Sequence, residues 1–281
     1  MHSKEEEDDH ASQIQLGWLD SAAANHRIAI AQAADYLDEE DAQRCRDYSE
    51  RGYCVVRGLV PAAVTAAAET APAQVLAGKL HLPRESLLPL LEDCWRSHAG
   101  VRALMVYGPL LAWIDRLLGE RAQPLHSLSL PESSQQGAHS DEIFMSTRPR
   151  GAMAAAWIAL EDVHADAGPL QLWPGSHRWS YLSMAEIGGR DGMSQAERER
   201  LFNERYYERM AAKVVASGIA AVPIILQRGD VLFWHQGLVH GAQRVERAGA
   251  TRNSAIVHYV AMSAESHSDA WAQEYPVPGL R

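Results

Sequence analysis

No apolar run in this sequence approaches the roughly 18 residues that cross a bilayer, which excludes a helical membrane span. The first residues, MHSKEEEDDH, are acidic where a secretory signal is basic and then apolar, so secretion is not expected. Cysteine is scarce. Cys45, Cys54 and Cys94 are an odd set without metal-ligand spacing, and they read as reduced thiols of a cytoplasmic protein. Positive charge is short too: a formal net charge of −10 gives no electrostatic footprint for nucleic acid. No Gly-x-Ser-x-Gly elbow, phosphate loop or dinucleotide fingerprint occurs, which removes the commonest hydrolase and nucleotide-binding readings. What remains is a chain of 281 residues, 47% of them apolar, with ample material for a core and a small molecule as its expected partner.

The first half reads as helical. Residues 1–15 are charged and expected to be disordered. A helical pattern runs from Ile28 to Ser49 and stops at Gly52, before a short strand Tyr53–Arg57. Pro61 opens an Ala-rich helix to about Leu80, and helical stretches follow over Pro89–Arg96 and Pro109–Leu118, the last stopped by Gly119. After Pro124 the texture changes. Short apolar runs (Leu125–Leu130, Ala154–Leu160, Leu170–Trp173, Val222–Leu226, Val231–Trp234, Ala255–Val260) alternate with Gly, Pro, Ser and Asp clusters, the rhythm of an antiparallel sandwich or barrel. Residues 184–217 interrupt it as a charged helical insert. The predicted class is mainly β with flanking helices (α+β). A single domain spans 16–281: a helical flank to about 120, a β core over 121–262, and a tail over 263–281.

Oxygen chemistry at non-haem iron wants two imidazoles and one carboxylate on one side of the metal, with the remaining positions open. His-x-Asp in extended chain delivers two such ligands, because residues i and i+2 point the same way. The motif alone is weak, since about 0.7 matches arise by chance in a chain of this composition. Three occur: His139-Ser-Asp141, His164-Ala-Asp166 and His267-Ser-Asp269. His267 lies in the polar segment SAESHSDAWAQ with no histidine after it, and reads as solvated surface. His164 falls in the turn-like EDVHADAGP. His139 follows SSQQGA, enters the apolar run to Met145 and has a candidate third ligand downstream. The competing reading is an ordinary surface turn.

That third ligand is His240, in GDVLFWHQGLVHGA. His235 is its rival. The two are separated by an odd number of residues, so on one regular strand they would face opposite sides, and His235 reads as a buried hydrogen-bonded histidine. A dicarboxylate co-substrate also needs a buried cation, and arginine suits it because its planar fork holds a carboxylate through two hydrogen bonds. Arg252 stands at the start of the last long strand, while Arg244 and Arg247 lie in the turn before it and read as solvent-facing.

Taken together, these residues resemble the phytanoyl-CoA dioxygenase family of iron(II)/2-oxoglutarate oxygenases. The likeness begins at YSERGYCVVRGLV (48–60) and runs to Val260. Its most specific block is AWIALEDVHADAGPLQLWPGSHRW (156–179), and GDVLFWHQGLVHGA followed by TRNSAIVHYVA looks like the distal-histidine and arginine strands. The resemblance implies a double-stranded β-helix core, of jelly-roll or cupin-like form. It implies His139, Asp141 and His240 as iron ligands, Arg252 as partner of the far carboxylate of 2-oxoglutarate, and Trp157 as a wall of the co-substrate pocket. His177 looks structural. Two departures are visible. The arginine sits twelve residues after the distal histidine rather than eleven, where Thr251 stands, and the hydroxyl residue common two after that histidine is Ala242. Ser254 and Ser129 are the candidates for the missing hydroxyl.

The implied reaction consumes 2-oxoglutarate and dioxygen, releases succinate and carbon dioxide, and hydroxylates an unactivated C–H bond. Asp141 favours hydroxylation, because related halogenases lack this carboxylate. The family's substrates range from acyl-CoA thioesters to amino acids, ectoine-like solutes and natural-product scaffolds; a small metabolite or natural-product intermediate is preferred here. The flanking helices and the insert are expected to form a lid. Arg198, Arg200, Arg205, Tyr206, Tyr207 and Arg209 of the insert could meet an anionic substrate, against the plainer reading of a solvated amphipathic helix. Two alternatives stay open: a cupin-like metalloenzyme without 2-oxoglutarate, which leaves Arg252 unexplained, and a non-catalytic jelly-roll binding protein, which has no need of three convergent ligands.

Overall fold

A computed structural model describes residues 18–76, 91–270, 273–274 and 279, so the acidic stretch 1–15 lies outside the described residues. The helical pattern over 28–49 resolves into two helices, α1 (Ala24–Ala33) and α2 (Glu39–Arg51), separated by a turn in which Asp35 takes φ 56°. Asp38 restarts the helix by accepting a hydrogen bond from the Asp41 amide at 2.7 Å, and Gly52 ends it at φ 83°, a conformation that favours glycine. The Ala-rich segment forms α3 (Ala62–Glu69) and α4 (Ala71–Leu76); its expected continuation to Leu80 lies outside the described residues. Of Pro89–Arg96, helical by pattern, residues 89–90 lie outside the described residues and the rest differs: Leu91–Glu92 is a short strand (β2) and Cys94–Arg96 a single 3-10 turn. Pairing with a neighbouring strand outweighs local propensity there. Two further helices, α5 (Ala99–Met105) and α6 (Gly108–Leu118), complete the layer, and Gly119 caps the second as expected.

The main sheet has six antiparallel strands in the order β1-β8-β5-β10-β3-β2, where β1 is Tyr53–Val56, β3 Ala122–Leu130, β5 Met153–Ala159, β8 Val231–His235 and β10 Ser254–Ala261. A smaller sheet, β7-β6-β9, joins Val222–Ile224, Leu170–Leu172 and His240–Ala242. Side chains alternate between two cores. Ala154, Ala156, Ile158, Val231, Phe233, Ala255, Val257 and Tyr259 face the helices. Ala155, Trp157, Leu232, Trp234 and Ile256 face Leu170, Leu172 and Ile224 of the smaller sheet, inside a jelly roll. Both faces of the large sheet are covered, which explains why β5 and β10 read as continuous apolar runs. The flanking helices therefore back the sheet and do not form a lid.

Of residues 263–281, read as a tail, described parts contribute to a third sheet: β11 (Glu265–Ser268) pairs with β4 (Ser146–Arg148) and β12 (Gln273–Glu274). His267 thus sits half-buried in a strand rather than on solvated surface. The insert comprises α7 (Gln195–Leu201), a π-turn over Phe202–Tyr206 and α8 (Tyr207–Ser217), with Ser194 and Glu197 forming a reciprocal cap at its start. Among the described residues no helix is long and apolar enough to cross a membrane.

Candidate metal centre

His139 lies in an extended stretch that bridges directly to His240. Their backbones exchange two hydrogen bonds, of 2.9 and 2.8 Å, and their rings stand 4.3 Å apart. Ser140 continues the extended chain, but Asp141 opens a 3-10 turn (Asp141–Ile143), so the pair spans the end of a strand-like segment rather than lying within one. Three candidate ligand atoms, from His139, Asp141 and His240, lie within 4.8 Å of one another, and all three residues are buried. The nearest measured pair is His240 Nε2 to Asp141 Oδ1 at 3.6 Å.

The two imidazoles are oriented alike. His139 Nδ1 is 2.8 Å from the Gly137 carbonyl and His240 Nδ1 is 3.0 Å from that of Leu238. Each Nδ1–H thereby donates to the backbone, leaving Nε2 as a neutral lone pair, the arrangement of metal-bound histidines. Burial, reinforced by the neighbouring His240, pushes His139 down to about 3, so it stays neutral near pH 7. Burial alone would raise the Asp141 carboxyl. The imidazoles of His240, His258 and His139 reverse that and hold it well below the usual carboxylate range. Two imidazoles with Nδ1 turned to the backbone, beside a carboxylate, form the donor set that suits iron(II).

His235 does not compete. It ends β8, facing away from the centre, with Nε2 3.0 Å from Asp20 and Nδ1 accepting from the Gly237 amide. His177 packs beside it and bonds the Ser49 carbonyl at 3.1 Å. His164 is exposed, and Asp166 pairs with Arg247 at 2.8 Å on the surface.

A cavity opens onto the three residues. Arg252 also lines it, 1% exposed. Its guanidinium donates to the Gly168 carbonyl at 2.8 Å, its Nε has no protein partner, and no carboxylate among the described residues pairs with it. Burial pulls it down to about 10, still charged near neutrality. The longer loop before Arg252 is absorbed in the turn, where Gly249 takes φ 73°. Trp157 does not line the cavity; its ring lies 5.7 Å from the Arg252 guanidinium carbon and supports it from the barrel interior. Ser254 bonds the Arg252 carbonyl at 3.3 Å, and Ser129, on the helix-facing side of β3, bonds Cys94, so neither hydroxyl lines the cavity. The polar groups that do are Ser134, Gln136 and His258.

The insert closes over the ligand loop with aromatic rings. The Ser140 amide donates to Tyr206 Oη at 3.3 Å, Gln136 Nε2 donates to Tyr207 Oη at 3.0 Å, and Phe202 packs on Phe144. Its arginines are engaged elsewhere or exposed. Arg198 bonds the carbonyls of Ala270 and Asp269, Arg205 that of Ile187, and Arg200 and Arg209 face solvent. Sequence reading missed His258, Ser134 and Gln136. Only the even spacing of His258 from Arg252, which precedes its strand, hinted at the first of them.

The sequence matches the phytanoyl-CoA dioxygenase (PhyH) family over residues 48–253, a span that contains all three candidate ligands and Arg252. The chain belongs to that family. The human peroxisomal phytanoyl-CoA dioxygenase is 21% identical over 253 residues, covering 79% of this chain and 71% of that protein. Among solved structures, the non-heme alpha ketoglutarate dependent epimerase SnoN of nogalamycin biosynthesis aligns with TM-score 0.61 at 20% identity, covering 92% of this chain and 89% of SnoN. EctD from S. alaskensis, solved with 2-oxoglutarate and 5-hydroxyectoine, aligns with TM-score 0.61 at 17% identity, covering 86% and 84%. These alignments support the jelly roll. In this PhyH family member the insert lies against the loop that carries His139 and Asp141.

Proposed function

We propose that this PhyH family member is an iron(II)- and 2-oxoglutarate-dependent dioxygenase that hydroxylates an unactivated C–H bond of a small metabolite or natural-product intermediate. The carrying observation is Arg252, a buried cation without an acidic partner among the described residues, in the same cavity as His139, Asp141 and His240. A charge so placed calls for an anion to compensate it, and a dicarboxylate whose other end reaches the metal meets that need. His139, Asp141 and His240 would hold the iron, Arg252 the far carboxylate, and Trp157 would keep the guanidinium in place from behind. Ser134 and Gln136 take the supporting role first sought in Ser254 and Ser129. When bound, iron(II) with 2-oxoglutarate and dioxygen supplies the oxidant, and succinate and carbon dioxide leave.

The insert serves as the lid. Tyr206 and Tyr207 tether it to the loop that carries His139 and Asp141, and the π-turn between its helices is a device often found at functional sites. A lid lined by aromatic rings, with its arginines turned away, fits a small scaffold better than a polyanionic thioester. SnoN has been solved with nogalamycin RO and EctD with 5-hydroxyectoine, both small molecules. Residues 16–281 are taken as one oxygenase domain, and the buried free thiols favour a cytoplasmic setting.

Iron(II) and then 2-oxoglutarate, added without oxygen, should give a weak lilac charge-transfer band that His139→Ala abolishes and Arg252→Gln weakens. Iron binding without a band would overturn the co-substrate in favour of the cupin-like reading. No iron binding at all would leave a non-catalytic jelly roll. A substrate panel followed by coupled succinate release would reject the small-scaffold assignment if acyl-CoAs alone respond.

A further inference from the structure

Asp141 has two oxygens, and the protein treats them differently. Oδ1 is the one near His240 Nε2, at 3.6 Å. Oδ2 accepts a hydrogen bond from Trp234 Nε1 at 2.7 Å, and His258 Nε2 approaches the same oxygen at 3.4 Å. All three side chains are buried, Asp141 to 5% exposure.

Sheet register explains how two large rings reach one oxygen. Trp234 on β8 and His258 on β10 both pair with Ala155 on the strand between them. The three residues form one row across the inner face, and the methyl of Ala155 leaves room for the flanking rings to lean over it. On its other side His258 is opposite His126, with the rings stacked 5.6 Å apart. Immediately after His258 the register with β3 slips by one residue. Such a bulge re-aims the side chain beside it.

We propose that Trp234 and His258 are positioning residues for Asp141: the indole N–H holds Oδ2 and the His258 ring packs against it, so that Oδ1 is the oxygen this residue would offer a metal. The inference rests on His139, Asp141 and His240 being the metal ligands. With Oδ2 bonded to the indole N–H and backed by the imidazole ring at 3.4 Å, the carboxylate would not swing to bind through both oxygens. Ala155 is the spacer that makes this arrangement possible.

The test uses cobalt(II) in place of iron, with its visible spectrum and its dissociation constant as readouts. Trp234→Phe keeps a ring and loses the donor; His258→Phe keeps the ring beside Oδ2. Trp234→Phe should weaken cobalt binding roughly 10- to 100-fold and reduce the intensity of the visible bands as carboxylate binding becomes two-toothed, whereas His258→Phe should change both less. Should Trp234→Phe not fold, His258→Ala, which removes the backing ring, is read in the same way. Wild-type affinity and spectrum in folded Trp234→Phe would overturn the proposal. Cobalt binding that is absent in the wild type, or unchanged in His139→Ala, would overturn the ligand assignment beneath it.

Discussion

On β10 the residues facing the helices are Ala255, Val257 and Tyr259, while those facing the barrel are Ser254, Ile256 and His258. On β8 the same division separates Val231 and Phe233 from Leu232 and Trp234. The outer face is apolar and closed: even Tyr259 places its hydroxyl on the Met105 carbonyl at 3.0 Å. The inner face carries Arg252 Nε, Trp157 Nε1 and both ring nitrogens of His258, buried polar atoms without hydrogen-bond partners among the described residues, against Tyr48 Oη and Ser127 Oγ on the helix side. Unpaired buried groups are costly, and a charged one such as Arg252 marks where a ligand belongs. One residue of travel along a strand thus separates the part that holds the sheet to its helices from the part that does chemistry.

The largest test of this division is at the centre. His139→Ala should reduce metal affinity on the order of a thousandfold and erase the rise in melting temperature that added metal gives the wild type. A variant that keeps that rise would place the metal elsewhere. On the opposite face, Phe233→Ala removes a ring stacked on Trp113 and should cost about 3–5 kcal/mol in denaturant unfolding, with metal affinity of the folded fraction unchanged. Altered metal affinity there would mean the two faces are coupled.

A third test concerns a polar spot outside the barrel. Burial, and then the adjacent His235, pushes His177 down to about 4. Its unfolded counterpart takes a proton near its ordinary value, so the unfolded state binds more protons between the two and stability falls as pH drops through that window. Relative to neutral pH the loss should reach about 2 kcal/mol near pH 5, with no further gain above pH 7. Denaturant titrations of wild type and His177→Gln measure it; equal pH slopes would remove His177 from the account. The smallest effect is expected on the outside of the insert. Arg200→Ala and Arg209→Ala should change stability by no more than about 0.5 kcal/mol and leave turnover unaltered. A marked loss of activity would restore the reading of these arginines as substrate contacts.

Much of the candidate site was legible. His139 and Asp141 are two residues apart, His240 and Arg252 flank one turn, and spacing of that kind survives most details of packing. His235 could be set aside by parity, although the physical reason proved to be a change of sheet between β8 and β9. The helical reading of Pro89–Arg96 failed because Leu91 and Glu92 pair with Ser129 and Leu128, a contact that local pattern does not encode. The insert's arginines misled for a related reason: a helix has several faces, and which one meets the cavity depends on docking. Here it is the tyrosine face.

The sequence by itself determined the alternation of inner and outer residues, the strand endings at glycine turns and the identity of the candidate ligands, because these follow from backbone periodicity and side-chain chemistry. Only the tertiary structure decided that Trp234, Ala155 and His258 share one row, that Oδ2 of Asp141 accepts from the Trp234 indole, and that Ser134 and Gln136 line the cavity in place of Ser254 and Ser129. Those facts depend on which strands become neighbours and in what register. That choice is made by burial of whole faces, not by any residue's own preference.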